Sequence, residues 1–389
     1  MNNIIESIEL TPIHVPFKDS IKKAMSETQG GLGMAIEAEE AWLGGDFVVC
    51  RLVTNDGSVG LGEVFLWPPE TGIAPNQVII SIQNFLARYL IGENPFNIEK
   101  INYQMDINLA RQEIAKGLLD MACYDLMGKI TERSACDFMG GKNVQEIPLV
   151  ALIPLGEPIL MKGITKSFYK KGYRTFRLKL GKGIQQDIQI VENIRETFGD
   201  SINLRVDYNQ AYDPHIAIKA INALEAYNIE YVEQPVKADD YLGMKYVQKN
   251  VKIPLMAHEG FFSLRDFINL VELKAVRVLG INSERPGGVT KALHAINYAR
   301  LRGLGIVLHN QPLGIASAMQ IHLNVAKYHI INYASELFGQ EMLVDDLIIK
   351  PIDYTNGKAK LPVGSGWGVD LDEQALERFA TGSTVIIEK

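Results

Sequence analysis

From residue 147 onward the chain repeats one short apolar run followed by one amphipathic run, at a nearly constant length. The apolar, β-rich runs are 175–181, 202–209, 229–235, 253–259, 276–283, 305–311 and 331–337. Each is followed by a helix-like segment such as IQQDIQIVENIRETFG. The polar residues near their C-terminal ends are Lys179, Asp207, Glu233, Glu259, Asn282, His309 and Glu336, in steps of 28, 26, 26, 23, 27 and 27 residues. That is the length of one βα unit, counted seven times, and it predicts an α/β fold with parallel strands closed into a (β/α) barrel. Such a barrel gathers its functional residues at the C-terminal strand ends. Parallel strands are buried on both faces and should be apolar throughout. Here nearly every run ends on an ionisable or amide side chain. Period two places Arg177 and Lys179 on one face, and Arg205, Asp207 and Asn209 on another. Burying so many polar groups without purpose is costly, so the mouth reads as an active site.

The first third has a different texture. Segment 46–53 is a β-type run, Asn55-Asp56-Gly57 a turn, and 59–64 a second run, which together signal a hairpin. Helical periodicity follows at 77–91, 97–107 and 111–129. Strands and then helices predict an α+β domain over 1–146, with the barrel over 147–363. The Gly-rich closing stretch is expected to leave the barrel, and 364–389 to complete the first domain. A length of 389 residues exceeds what one core usually supports, in keeping with two domains.

Composition removes several classes of function. Lys+Arg of 39 against Asp+Glu of 46 gives −7, which argues against nucleic acid or an anionic membrane as partner. Cys50, Cys123 and Cys136 are too few for a disulfide framework and match no zinc spacing, so a reducing cytoplasm is the simplest compartment. The opening residues carry no signal-peptide pattern. The longest stretch free of Asp, Glu, Lys and Arg, 303–326, is too polar to cross a bilayer.

Asp207, Glu233 and Glu259 end three consecutive strands. Three carboxylates converging on one point need a cation, and Mg²⁺ suits oxygen ligands; the alternative is three separate salt bridges. Lys179, beside Arg177 and such an ion, is expected to have a depressed pKa and to act as a general base; the alternative is a lysine paired with one of the carboxylates. His309, five units on, could act as acid or base on the opposite face of a substrate, or be a hydrogen-bonded structural residue. Together these parts suggest removal of the proton α to a substrate carboxylate through an enediolate, with a small-molecule carboxylate as ligand.

The sequence resembles the enolase superfamily in its mandelate racemase and muconate lactonizing branch. KGLLDMACYDLMGKITERSACDFMGG at 116–141 is similar to the family's segment joining cap to barrel. FRLKLG at 176–181 resembles its K-x-K strand, with Arg177 in place of the first lysine and Lys179 as the catalytic second. VDYNQAY, VEQP and IPLMAHEG resemble its three metal-ligand strands, and INSERPGGVTKA its sixth strand. The resemblance implies a modified TIM barrel with an α+β capping domain, and Mg²⁺ on Asp207, Glu233 and Glu259. It also implies a homo-oligomer. Asn282 stands where the muconate subgroup has a second lysine and the mandelate racemase subgroup an aspartate paired with the histidine that His309 resembles. An amide can orient an imidazole but cannot raise its pKa by charge. Glu336 matches a glutamate that hydrogen-bonds the substrate carboxylate. On these grounds the sequence favours dehydration of a hydroxy acid of acid-sugar type. A racemase or epimerase is the alternative, and a non-catalytic metal and carboxylate binding protein is the alternative from another class. The resemblance implies that specificity comes from the cap, in loops 16–45 and 65–75; Met25, Leu32, Met34, Trp42, Phe65 and Trp67 there either face the substrate or pack loop against loop.

Overall fold

The structure is a computed structural model that describes residues 3–26, 43–310, 312–331 and 333–389. Leu32, Met34 and Trp42 lie outside the described residues. The N-terminal part builds an antiparallel sheet from β1 (Ile5–Pro16), β2 (Gly44–Thr54) and β3 (Val59–Leu66). The β2–β3 hairpin forms where the sequence signals it. β1 was not expected, because Pro12 and Pro16 interrupt its run; its outer neighbour pairs only as far as Leu10, which leaves Pro12 edge-like.

One face of this sheet packs on α1 (Glu113–Ile130), a helix whose residues 114–128 are all buried. Gly60 and Gly62 let helix and strand approach closely. A Cβ at Gly60 would stand 2.3 Å from the Ala122 carbonyl oxygen, and one at Gly62 2.6 Å from that of Leu118.

The barrel has eight parallel strands in sequential order: β4 (Val150–Ile153), β5 (Thr175–Lys179), β6 (Asn203–Asp207), β7 (Ile229–Glu233), β8 (Leu255–Ala257), β9 (Val278–Ile281), β10 (Gly305–Asn310) and β11 (Glu336–Leu337). A bridge between Leu149 and Ser335 joins its ends, with Val150 N–H donating to Ser335 O at 2.9 Å. The sequence signals seven units and the structure has eight strands. β4 escapes the pattern because Pro154, not a polar residue, follows its apolar run.

The chain end returns to the first sheet: β12 (Val385–Glu388) pairs antiparallel with β1. Two buried carboxylates join cap and barrel. Asp120 on α1 accepts from Thr290 of α2 (Gly288–Arg302) through its N–H at 3.0 Å and its hydroxyl at 2.6 Å. Glu63 on β3 accepts from the N–H groups of Leu313, Ile315 and Ala316 at the start of α3 (Gly314–Lys327). The three cysteines are buried and unpaired to one another, and no helix among the described residues is long and apolar enough to cross a membrane.

Candidate active site

Register brings the strand-end residues to one level. Lys179 is the lateral partner of Asp207, Asp207 of Glu233, and Glu233 of Met256. On the far side His309 is the partner of Glu336. Lateral partners share a face, so Lys179, Asp207 and Glu233 all enter the barrel mouth. Gly280 helps to open it: a Cβ there would lie 2.3 Å from Met256 Cε and 3.1 Å from the His309 ring.

Arg177 sits at the centre of the acidic residues. Its Nη1 donates to Asp207 Oδ2 at 2.7 Å and to Glu233 Oε1 and Oε2 at 3.0 and 2.9 Å; its Nη2 donates to Glu336 Oε1 at 2.7 Å. Lys179 Nζ donates to the same Asp207 oxygen at 2.6 Å and to Asn209 Oδ1 at 2.8 Å. Asn209 in turn donates to Glu259 Oε1 at 3.0 Å, leaving Glu259 Oε2 buried without a hydrogen-bond partner.

These burials move the titrations in different directions. Burial, then the Asp207 and Glu233 charges, pushes Glu259 up to about 8. Burial and Glu233 raise Asp207. Burial also acts to raise Glu233, but Arg177 and then His309 more than offset it and hold that carboxyl well below the usual range. Burial acts to lower Arg177, and Glu233, Glu336 and Asp207 keep it firmly charged.

Three residues that the sequence left unremarked complete the site. His258 is buried, with its ring tilted by 36° against that of His309 at 3.8 Å between centroids. Arg285 Nη2 approaches His258 Nε2 at 2.9 Å and also binds Glu70, the carboxylate of a single helical turn, Pro68–Thr71, in the cap. An arginine can only donate, so Nε2 accepts and the neutral ring carries its proton on Nδ1. That atom faces Glu70 at 3.4 Å, Glu233 at 3.5 Å and Glu259 at 3.8 Å. Burial, then His309 and Arg285, puts the His258 pKa well below the usual value, so the ring is neutral. Strand parity could have flagged it: two residues past Met256, it shares the face of Glu233. Glu70 and Arg285 carry no local signal.

Asn282 does not orient His309 as expected. Its Oδ1 accepts from Arg285 Nε at 3.1 Å and its Nδ2 lies 3.3 Å from His258 Nε2. Both ring nitrogens of His309 are buried without a hydrogen-bond partner, with Nε2 3.4 Å from Glu233 Oε1.

The expected metal set is also rearranged. Among the described residues, the group whose donor atoms lie within 4.8 Å of one another is Glu233, His258 and His309, not the three carboxylates. The reason is Arg177, whose guanidinium bridges Asp207 and Glu233 while Glu259 is drawn to Asn209. The mixed group could hold an ion, but two imidazoles suit a transition metal better than Mg²⁺. The His258 tautomer also presents a proton rather than a lone pair. As arranged, the residues do not fit Mg²⁺.

Above this floor lies a cavity of about 280 Å³. Its walls are apolar, among them Phe17, Met25, Phe65, Trp67, Phe168 and Phe338, while Arg177, Lys179, Asp207, His258 and His309 face it from below. Of the apolar loop residues, Met25, Phe65 and Trp67 line the cavity and also pack on the core beneath it.

A parallel barrel whose antiparallel cap closes over an acid–base floor at the C-terminal mouth places the chain among the barrel enzymes. Residues 162–375 match the enolase C-terminal domain-like family, and residues 34–140 match the N-terminal domain of mandelate racemase / muconate lactonizing enzyme. The chain belongs to the mandelate racemase/muconate lactonizing enzyme family of the enolase superfamily. It is 37% identical over 293 residues to a hydrophobic dipeptide epimerase of Enterococcus faecalis, covering 73% of this chain and 80% of that one. The N-succinyl Arg/Lys racemase structure from Bacillus cereus superposes with a TM-score of 0.89 at 26% identity, over 99% of this chain and 100% of that one. Muconate lactonizing enzyme from Pseudomonas fluorescens, complexed with muconolactone, gives 0.87 at 25% identity, over 98% and 100%.

Proposed function

We propose that the chain is an isomerase that moves the proton on the carbon α to a carboxylate, and that its substrate carries an apolar body. The observation behind this reading is the position of Lys179. Its amine sits at the cavity floor between Asp207 and Asn209, with apolar walls above. In its neutral form that amine takes the α-proton. Removing the proton turns the carboxylate into an enediolate with a second negative charge. Arg177 is the fixed cation beside it, and His258 Nδ1–H adds a donor. A second proton delivered to the opposite face inverts the carbon; His309, in its protonated form, supplies it and is left neutral, while Lys179 keeps the proton it took. A low-dielectric, apolar enclosure strengthens each of these interactions.

An acid sugar carries hydroxyls that each need a partner, and walls of Phe, Met and Trp supply few. This favours epimerisation or racemisation over the dehydration suggested by the sequence. It is supported by the names of two relatives, an N-succinyl-L-Arg/Lys racemase and a hydrophobic dipeptide epimerase, of which the second also carries the apolar body. An N-acyl amino acid or dipeptide with an apolar side chain is the substrate class we favour. Mg²⁺ is the ion that the family resemblance implies; when bound it would take the second charge of the enediolate. No step is derived through it, because Arg177 stands between two of its ligands.

The test is proton NMR in D₂O with a panel of N-acyl amino acids, hydrophobic dipeptides and sugar acids, with and without divalent ions. Deuterium at the α-carbon with inversion is the expected result. A keto acid from a sugar acid would replace this reading with a dehydratase. No exchange with any acid would favour the binding protein.

A further inference from the structure

We infer that the Arg177 guanidinium is the resident cation of this centre, standing where a divalent ion would bind Asp207 and Glu233, so that the site holds its anionic ligand without Mg²⁺. The guanidinium holds this place whichever reaction the floor performs.

It begins with the oxygens. Five of the six carboxylate oxygens of Asp207, Glu233 and Glu259 already accept a hydrogen bond from the protein. The sixth, Glu259 Oε2, faces the His258 side at 3.8 Å. A Mg²⁺ ion needs ligand oxygens at roughly 2.0–2.1 Å in near-octahedral geometry. An ion at that distance from both Asp207 Oδ2 and Glu233 Oε2 would share the gap that Nη1 fills from 2.7 and 2.9 Å. The two like charges would be in contact.

Nor is the guanidinium free to leave. Its second nitrogen is tied to Glu336, two strands away across the closing seam of the barrel, and the side chain is 4% exposed. Arginine also stays charged in any protein environment, and its planar fork spans several carboxylates where an ammonium is a point charge. A lysine at the same position would be shorter and could withdraw.

The third strand end points the same way by an independent route. Arg285 donates to His258 Nε2, which turns the Nδ1–H toward Glu233 and Glu259. A proton is presented where an incoming ion would need a lone pair. Two arginines, on opposite sides of the floor, therefore do the work of charge neutralisation.

Mn²⁺ serves as the probe, since it is Mg²⁺-like in its ligands and is counted by its EPR signal when free. The native chain is expected to show no saturable Mn²⁺ site below about 1 mM. Arg177→Lys, checked for its fold by circular dichroism, is expected to gain a site at least about tenfold tighter, and Asp207→Asn in that background to abolish it. Should Arg177→Lys be poorly folded, Arg177→Met is read instead by the rise in its melting temperature on adding Mn²⁺, which the native chain lacks. A micromolar Mn²⁺ site in the native chain that Asp207→Asn removes would overturn the inference. So would a folded Arg177→Lys, or a folded Arg177→Met, with no gain over native.

Discussion

Arg177 and Arg205 are lateral partners on adjacent barrel strands, both pointing inward and both buried, yet their surroundings have little in common. Arg205 turns toward the bottom of the barrel. Its Nε donates to Glu230 at 2.7 Å, its Nη1 to the Ala334 carbonyl at 2.7 Å, and its guanidinium lies over the rings of Tyr231 and Tyr333 at 5.0 and 5.3 Å. Met256, Val278 and Val307 fill the rest of that layer. Arg177 turns toward the mouth and meets three carboxylates. The lower arginine shows what burying one cation requires: one partly exposed carboxylate, a carbonyl and two π faces. The upper layer holds far more charge than structure alone requires. The excess around Arg177, set under an apolar cavity, is the mark of a site.

The comparison breaks most visibly at the residue beside the upper arginine. Lys179→Ala is expected to lower α-proton exchange by about 10²- to 10⁴-fold, the usual contribution of a positioned base. Exchange is followed in D₂O by NMR, with circular dichroism as a control for the fold. Exchange at the native rate would remove Lys179 from the reaction.

The two arginines differ next in stability. Arg177→Met strands three buried carboxylates and is expected to cost about 3–5 kcal/mol at neutral pH, whereas Arg205→Met strands only Glu230, whose side chain is 24% exposed, and is expected to cost about 2 kcal/mol. Urea midpoints measure both. Equal losses would mean that the two layers are electrostatically alike.

How much of this was legible in the sequence follows the same division. Lys179, Asp207 and Glu233 were readable because a βα unit has a fixed length and strand parity fixes the face. β4 was not, because its four residues end at Pro154 rather than at a polar group. β1 was not, because its prolines sit where its neighbour has already ended. His258 was hidden by the adjacent Glu259, since resemblance named the glutamate while parity favours the histidine. Glu70 and Arg285 meet only through the packing of cap on barrel, 215 residues apart in the chain. The oxygen cluster was expected to need an ion from outside, and nothing local in the sequence shows that Arg177 reaches two of its carboxylates, Asp207 and Glu233, together with Glu336.

A third test moves from the mouth to the joint beneath the cap. Burial, then Asp346, pushes Glu63 up to about 8, although three backbone N–H groups act to lower it. A raised carboxyl binds its proton in the folded chain above pH 4.5, where the unfolded chain has released it. Stability from this group is therefore full at acid pH and falls between about pH 4.5 and 8. Glu63→Gln, which resembles the protonated form, is expected to flatten that fall, worth roughly 3–5 kcal/mol at most. Urea midpoints at pH 5 and pH 8 read the difference, and an unchanged slope would show that Glu63 is ionised throughout.

The smallest expected effect concerns Glu70, the charged side chain that the described cap residues contribute to the cavity wall. It binds Arg285, which holds His258, and its own oxygen lies 3.4 Å from His258 Nδ1, so a charge from the cap reaches the floor both through Arg285 and directly. Glu70→Gln keeps the shape and one acceptor but loses the charge. Arg285 would still hold Asn282 and the His258 carbonyl, so its position should survive. The pair is 14% and 1% exposed, between the fully wet and fully buried cases, and about 1 kcal/mol is a fair magnitude. Amide hydrogen exchange should therefore quicken about fivefold in residues 65–75 and stay unchanged in β6 and β7. Faster exchange throughout the barrel would instead make Glu70 part of the common core, and the mouth would then be no softer than the layer around Arg205.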